Sequence, residues 1–285
     1  MLLTNTCPNS YCHTTPPMLP ESFQEYLLKR NMAANTVLSY VFAVKQFLRL
    51  YGQVTPSNLQ LYKIYLLEHY KPQTVNLRIR AINCYMEAGQ LTDSRLTMLR
   101  VQQKMYADHI ISEADYEYLK SCLLQDEKYL YYFIIRYMAA TGVRVSELVE
   151  IQAEDVTRGY RDIFSKGGKY RRIYIPQRLQ QASLQWLEHE RITKGDIFRN
   201  RFGNRISTGG IRTVLKNMAI RYGLDPVVVY PHSFRHRFAK SFIERCSDIS
   251  FLSDLLGHES LETTRIYLRR TSTEQQHIVN KVVNW

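Results

Sequence analysis

From Glu21 to Gly52 the apolar residues recur every three or four positions, a spacing that admits helices and little else. In "ESFQEYLLKR" it puts Phe23, Tyr26 and Leu27 on one face. In "NTVLSYVFAVKQFLRLYG" it gathers Val37, Tyr40, Val41, Val44, Phe47 and Leu48, with Asn35 or Thr36 as the cap and Gly52 as the stop. The pattern predicts further helices over 57–69 and 73–88 and a fifth through 94–105. Residues 20–105 therefore read as a small all-helical domain. Residues 1–19, rich in Thr, Pro and Asn and without an apolar period, read as a disordered leader.

The pattern breaks at "MYADHII", which places a linker at 106–111. A second domain, 112–285, begins where Ser112 and Asp115 form a cap ahead of Leu119, Leu123 and Leu124. "YLYYFIIRYMAATG" is an apolar helix closed by Gly142. "DIFSKGGKYRRIYIP" alternates like a hairpin turning at Gly167-Gly168. In "GIRTVLKNMAIRYG" the residues Ile211, Val214, Leu215, Met218 and Ala219 share one side. The fold class is mainly α with a small antiparallel β-sheet. The tail, 271–285, carries Ile278, Val279, Val282 and Val283 at helical spacing, a large apolar face for a chain end.

Charge narrows the partner. The formal net charge is +12, which favours a polyanion such as nucleic acid or an anionic membrane surface. No apolar stretch approaches the roughly 20 residues of a membrane span, and "MLLTNTCPNSYCHTTPP" lacks the basic start and apolar core of a signal peptide. Nucleic acid remains. The five cysteines are scattered and odd in number, a usage that fits a reducing cytosol rather than a disulfide framework. Cys7, Cys12 and His13 are irregularly spaced with no fourth ligand near, so they read as leader and not as a zinc site. The segment "KPQTVNLRIRAINCYMEAG" sets Lys71, Arg78 and Arg80 beside Thr74 and Asn76, a composition suited to phosphate contact.

Four stretches carry the chemistry: "TGVRVSELVEI" with Arg144, "SKGGKYRRIYIP" with Lys166, Lys169 and Arg171, "HSFRHRFA" with His232 and Arg235, and "LLGHESLETTRIYLRR" with His258 and Tyr267. In the last, Phe251, Leu252, Leu255 and Leu256 form a buried stripe, Gly257 ends a helix, and Ser260 caps a new helix carrying Tyr267. Each residue alone has an ordinary explanation in packing or solvation. Together, two arginines and a lysine can neutralise a phosphate whose charge grows under attack, two histidines add donors or a proton acceptor, and a tyrosine can be the nucleophile. No Walker A sequence and no cluster of carboxylates accompanies them.

In these motifs and their order the chain resembles the tyrosine recombinases, the phage-integrase and Xer-like enzymes, from about residue 20 to the end. The resemblance implies a two-domain DNA clamp: a helical core-binding domain plus a catalytic domain. It implies Arg144 and Arg235 as catalytic arginines, His232 and His258 as the histidines, Tyr267 as nucleophile and Lys166 as the hairpin lysine. Ser165 stands where the family's turn has glycine, which leaves Lys169 as a rival.

The reading is then a site-specific recombinase, an integrase or resolvase of a mobile element. It acts through a 3′-phosphotyrosyl intermediate, with His232 as base, Lys166 as acid and no cofactor or metal. Its partner is double-stranded DNA with an inverted-repeat site. Protomers assemble through the tail into a tetrameric synapse, with accessory DNA-bending proteins as further partners. Lys71, Thr74, Asn76, Arg78, Arg80, Lys169 and Arg171 are the expected DNA contacts. The alternatives are a type IB topoisomerase and a DNA-binding regulator without catalysis.

Overall fold

The computed structural model describes residues 19–91, 95–101, 109–164, 170–258, 260–268 and 279–283. The chain divides into two compact units, Met1–Gln103 and Lys104–Trp285. Among the described residues it is mostly helical, with one two-stranded antiparallel sheet.

The first unit contains α1 (Pro20–Lys29), α2 (Ala34–Tyr51), α3 (Pro56–His69) and α4 (Pro72–Ala88). Prolines open α1, α3 and α4, where their fixed φ suits the first turn and no N–H is lost from the ladder. The α2 periodicity is realised: Val37, Val44 and Phe47 are buried against Phe23, Leu59 and Ile79. Tyr62 is fully buried and donates its hydroxyl to Gln46 Oε1 at 3.0 Å. Neither Asn35 nor Thr36 caps α2; the helix starts earlier, with Ala33 at its cap position and no side-chain cap bond.

The fifth helix expected through 94–105 is absent over 95–101, which has no regular structure. Two asparagines of α4 account for this. Asn83 donates to Leu96 O and accepts from Leu96 N–H, both at 2.9 Å. Asn76 does the same to Leu99, at 2.9 and 2.8 Å. These side chains satisfy backbone groups that a helix would otherwise pair, while Leu96 still reaches the core.

The second unit holds α5 (Glu113–Gln125), α6 (Tyr129–Thr141), α7 (Val145–Leu148), α8 (Ala153–Arg158), β1 (Tyr160–Phe164) and β2 (Tyr170–Tyr174). It continues with α9 (Gln177–His189), α10 (Thr208–Arg221), α11 (Pro231–Arg245), α12 (Ile249–Leu256) and α13 (Leu261–Arg265). Ser112 caps α5 by accepting from Asp115 N–H at 3.0 Å. The strands pair antiparallel from Tyr160↔Tyr174 to Phe164↔Tyr170, and the facing pair Asp162 and Arg172 forms a two-pronged ion pair at 2.7 and 3.0 Å. The hairpin turn, including Gly167-Gly168, lies outside the described residues.

Buried α6 is the axis of this unit, with Ile134, Tyr137 and Met138 fully covered and α11 packed along it. Where α12 meets α11 a smaller cluster of Ala239, Ile243, Leu252 and Leu256 forms, with Tyr267 against it. The expected α12 stripe is narrower than its sequence: Phe251 is 46 % exposed and meets the Phe242 ring edge to face. Ser260 caps α13 by accepting from Glu262 N–H, but the helix ends at Arg265. Tyr267 sits in the turn beyond it, its N–H bonded back to Thr264 O at 3.1 Å. In the tail, 279–282 is helical and Val279, Val282 and Val283 are exposed. No helix among the described residues is long and apolar enough to cross a membrane.

Candidate active site

Three arginines distant in sequence converge on the last carbonyls of α12. Arg171 Nη1 donates to Leu255 O at 2.5 Å, Arg235 Nη2 to Leu256 O at 2.6 Å and Arg144 Nη2 to Gly257 O at 2.8 Å. The final carbonyls of a helix lack partners within it and carry the negative end of its dipole. That end draws three like charges together. Arg235 also donates through Nη1 to Gly142 O at 2.5 Å. Glu147 supplies the counter-charge: it accepts from Arg144 Nη1 and from the Arg144 backbone N–H, both at 2.9 Å, and pairs with Arg171.

Two glycines make this approach possible. Gly142 and Gly257 both have left-handed backbone, φ +63° and +61°. A Cβ on Gly257 would lie 2.4 Å from Arg171 Cδ, and one on Gly142 would lie 2.4 Å from Phe238 Cδ1. Arg235 is 3 % exposed. Burial, then Arg144 and Arg171, pull its pKa down to about 9, so it stays charged at neutral pH. Burial also lowers that of Arg171.

The histidines and the tyrosine line the same region. His258 follows Gly257, with its backbone N–H on Ser253 O and its Nδ1 2.8 Å from Thr264 Oγ1. Burial, then Arg235 and Arg144, pushes its pKa down to about 4. His232 lies in the first turn of α11 with an exposed edge. Partial burial and the charges of Arg235, Arg212 and Arg144 lower its pKa too. Burial pushes the Tyr267 phenol up to about 12 against the opposing pull of Arg235.

Arg144, Arg235 and His258, each expected in the site, come together on the α12 terminus. His232 lies one turn from His236, ring centres 6.4 Å apart. The side chain that meets Tyr267 is His236, whose Nδ1 is 2.5 Å from the Tyr267 hydroxyl. Its pKa is pushed down to about 4 by burial, then by His232 and Arg235. In the sequence His236 belongs to the basic "HSFRHRFA" stretch without a role of its own, although its place four residues after His232 and next to Arg235 puts it on the same helix face. Glu147 was also missed; its signal was a carboxylate three residues after Arg144 at a helix start. Arg237, the residue after His236, points elsewhere: it pairs with Glu113 and covers the Tyr116 ring at 4.1 Å. Lys166 and Lys169 lie outside the described residues.

A sequence model of the phage integrase family matches residues 107–274, more than half of the chain. The chain belongs to the phage integrase family. The family's tyrosine recombinases cleave and rejoin DNA through a tyrosine nucleophile, and this chain is an enzyme of that kind. It is 27 % identical over 268 residues to tyrosine recombinase XerA of Pyrococcus furiosus, with 92 % of each chain covered. In fold it is similar to the Tn1549 transposon integrase in complex with circular intermediate DNA, with a TM-score of 0.73 and 15 % identity over 93 % of this chain and 99 % of that one. It is similar also to the XerH site-specific recombinase bound to difH substrate, with a TM-score of 0.70 and 15 % identity over 94 % and 85 % of the two chains.

For this integrase-family chain the first unit offers a second surface. Leu38, Ser39, Phe42, Thr74, Leu77 and Arg78 line an open groove of about 310 Å³ between α2 and α4. Arg78 is held there: it stacks on Phe42 and Tyr70, at 5.1 and 4.3 Å, and bonds Gln46. Lys71, at the N-cap of α4, and Arg80, within that helix, are exposed. Two of the expected DNA contacts face inward instead. Asn76 is 8 % exposed and occupied with Leu99, and Arg171 is 8 % exposed within the arginine cluster. Both lie on amphipathic elements whose polar residues read as solvated until the packing partner is known.

Proposed function

We propose that the protein is a site-specific recombinase of duplex DNA, an integrase or resolvase of a mobile element, that cuts by a 3′-phosphotyrosyl intermediate. The observation that carries this is the convergence of Arg144, Arg171 and Arg235 on the end of α12, with His258 and Tyr267 beside them. Each guanidinium has more N–H donors than the carbonyls engage. The remaining donors of Arg144 and Arg235 are suited to the non-bridging oxygens of a phosphodiester, where charge grows as the pentacoordinate transition state forms.

Tyr267 attacks phosphorus and the 5′-oxygen leaves. The protein keeps the phosphate as an ester on tyrosine, which retains the energy of the broken bond. A 5′-hydroxyl from a partner duplex then reverses the step. Lys166, on the hairpin between β1 and β2, donates the proton to the leaving oxygen. His232 and His258 give further donors to the phosphate. The groove of Thr74 and Arg78, with Lys71 and Arg80, takes the DNA backbone and base edges on the first unit. Assembly into a tetrameric synapse belongs to the same reading, and the exposed valines of the tail support it.

The test removes one oxygen. Tyr267→Phe keeps the ring and its packing, so DNA binding persists while the SDS-resistant protein–DNA adduct disappears on a nicked suicide substrate. An adduct formed by the Phe variant would assign the nucleophile to another residue.

A further inference from the structure

We propose that His236 is the catalytic base of the cleavage step, accepting at Nδ1 the proton that Tyr267 gives up as its oxygen attacks phosphorus. This rests on Tyr267 being the nucleophile. The contact itself is direct: Nδ1 and the phenolic oxygen are 2.5 Å apart, with ring centres 5.7 Å apart. A base must lie within hydrogen-bond reach of the proton it removes. His236 meets that condition in the chain as it stands. His232, one turn earlier on the same face, is the rival and sits nearer the solvent edge.

The surroundings favour a neutral ring ready to accept. The groups that face it are His232 and Arg235 on its own helix, Tyr267 beyond α13 and His258 beyond α12. Burial and the first two of these hold the imidazole deprotonated, while burial holds the phenol protonated. At rest the proton therefore stays on oxygen and is donated to Nδ1, with the ring hydrogen on Nε2. A phosphodiester docked against Arg144 and Arg235 adds negative charge, which raises the basicity of the imidazole. As the bond from Tyr267 Oη to phosphorus forms, the oxygen turns acidic and its proton passes to Nδ1. The bond from phosphorus to the 5′-oxygen breaks, and that oxygen takes a proton from Lys166. Religation returns both protons, so the cycle balances without a co-reactant.

The experiment measures single-turnover cleavage of a suicide substrate by the full chain across pH. His236→Asn keeps an oxygen able to accept the tyrosine hydrogen bond but cannot take the proton. Half-site binding should match the parent, and cleavage should slow by about 100-fold or more. The parent rate should level off with rising pH, whereas the variant's should keep climbing as hydroxide replaces the base. A substrate with sulfur at the 5′-bridging position should not restore the variant, because its defect is not in the leaving group. Cleavage within about threefold of the parent with an unchanged pH profile would overturn the proposal, since typical base effects are far larger. So would loss of half-site binding by the Asn variant, which would make His236 structural. A hydroxide-dependent profile in His232→Asn, with none in His236→Asn, would move the base to His232. Tyr267→Phe run alongside separates the two readings: an adduct in that variant rejects the nucleophile, whatever His236 does.

Discussion

Arg235, largely buried and still charged, shows how a like-charge cluster survives in a protein interior. Its hydrogen bonds go to Gly142 O and Leu256 O, and Glu147 balances its neighbours Arg144 and Arg171. The rings beside it adjust differently, by staying neutral. His236 and His258 have folded pKa values near 4, below the 6.5 of the free ring. Between those values the unfolded chain binds protons that the folded chain does not, so stability falls as pH drops from about 6.5 toward 4. Above 6.5 both states are neutral and these rings contribute no slope. Urea denaturation at pH 7.5, 6 and 4.5 should show the decline, and His258→Asn should flatten part of it. A midpoint unchanged across that range would mean that the rings are protonated in the folded state.

Among the elements, α12 has the most unusual task. It is eight residues long, and its C-terminus serves as the common acceptor for three arginines. The segment after α6 must bring Gly142 O to the same place, and it does so through left-handed backbone wedged under Phe238 and Leu256. Gly142→Ala combines an unfavourable φ with a Cβ 2.4 Å from an aromatic carbon, so it should cost about 2 kcal/mol or more. Gly223 has a similar φ, +70°, with nothing within 4 Å of its Cβ position. Gly223→Ala should cost only about 1 kcal/mol, the backbone share. Denaturant midpoints of the two variants give the comparison. Equal losses would show that contact with Phe238 relaxes freely and that the glycine is needed for its φ alone.

On the scale of the whole molecule, the two units have separate cores. The cluster around Phe47 and Tyr62 lies in the first, and that around Tyr137 and Leu148 in the second. What the units share is a net charge of +12. Binding of duplex DNA by the full chain should weaken steeply with salt, because each phosphate neutralised releases counterions and contributes roughly −0.9 to the log–log slope. Titrating a labelled duplex between about 50 and 200 mM salt reads that slope. A flat response would remove phosphate contact as the source of affinity.

Helix positions, the hairpin strands and the family motifs are legible in the residues themselves, because apolar period, caps and motif spacing are local properties. "VLSYVFAVKQF" cannot bury its apolar face except as a helix. "HSFRH" places two histidines and an arginine on one side wherever that helix lies. Destinations across long separations are another matter. Arg171 reads as a surface cation until the end of α12, 84 residues away, comes to meet it. His236 reads as an extra basic residue until Tyr267, 31 residues on, closes against it. The asparagines of α4 read as a polar face, yet two of them hold 95–101 out of a helix that its own pattern favours. In each case a polar side chain has several acceptable partners, and sequence alone ranks them equally. Packing decides, because only the folded backbone brings one unsatisfied carbonyl, amide or hydroxyl within reach and removes water from the rest.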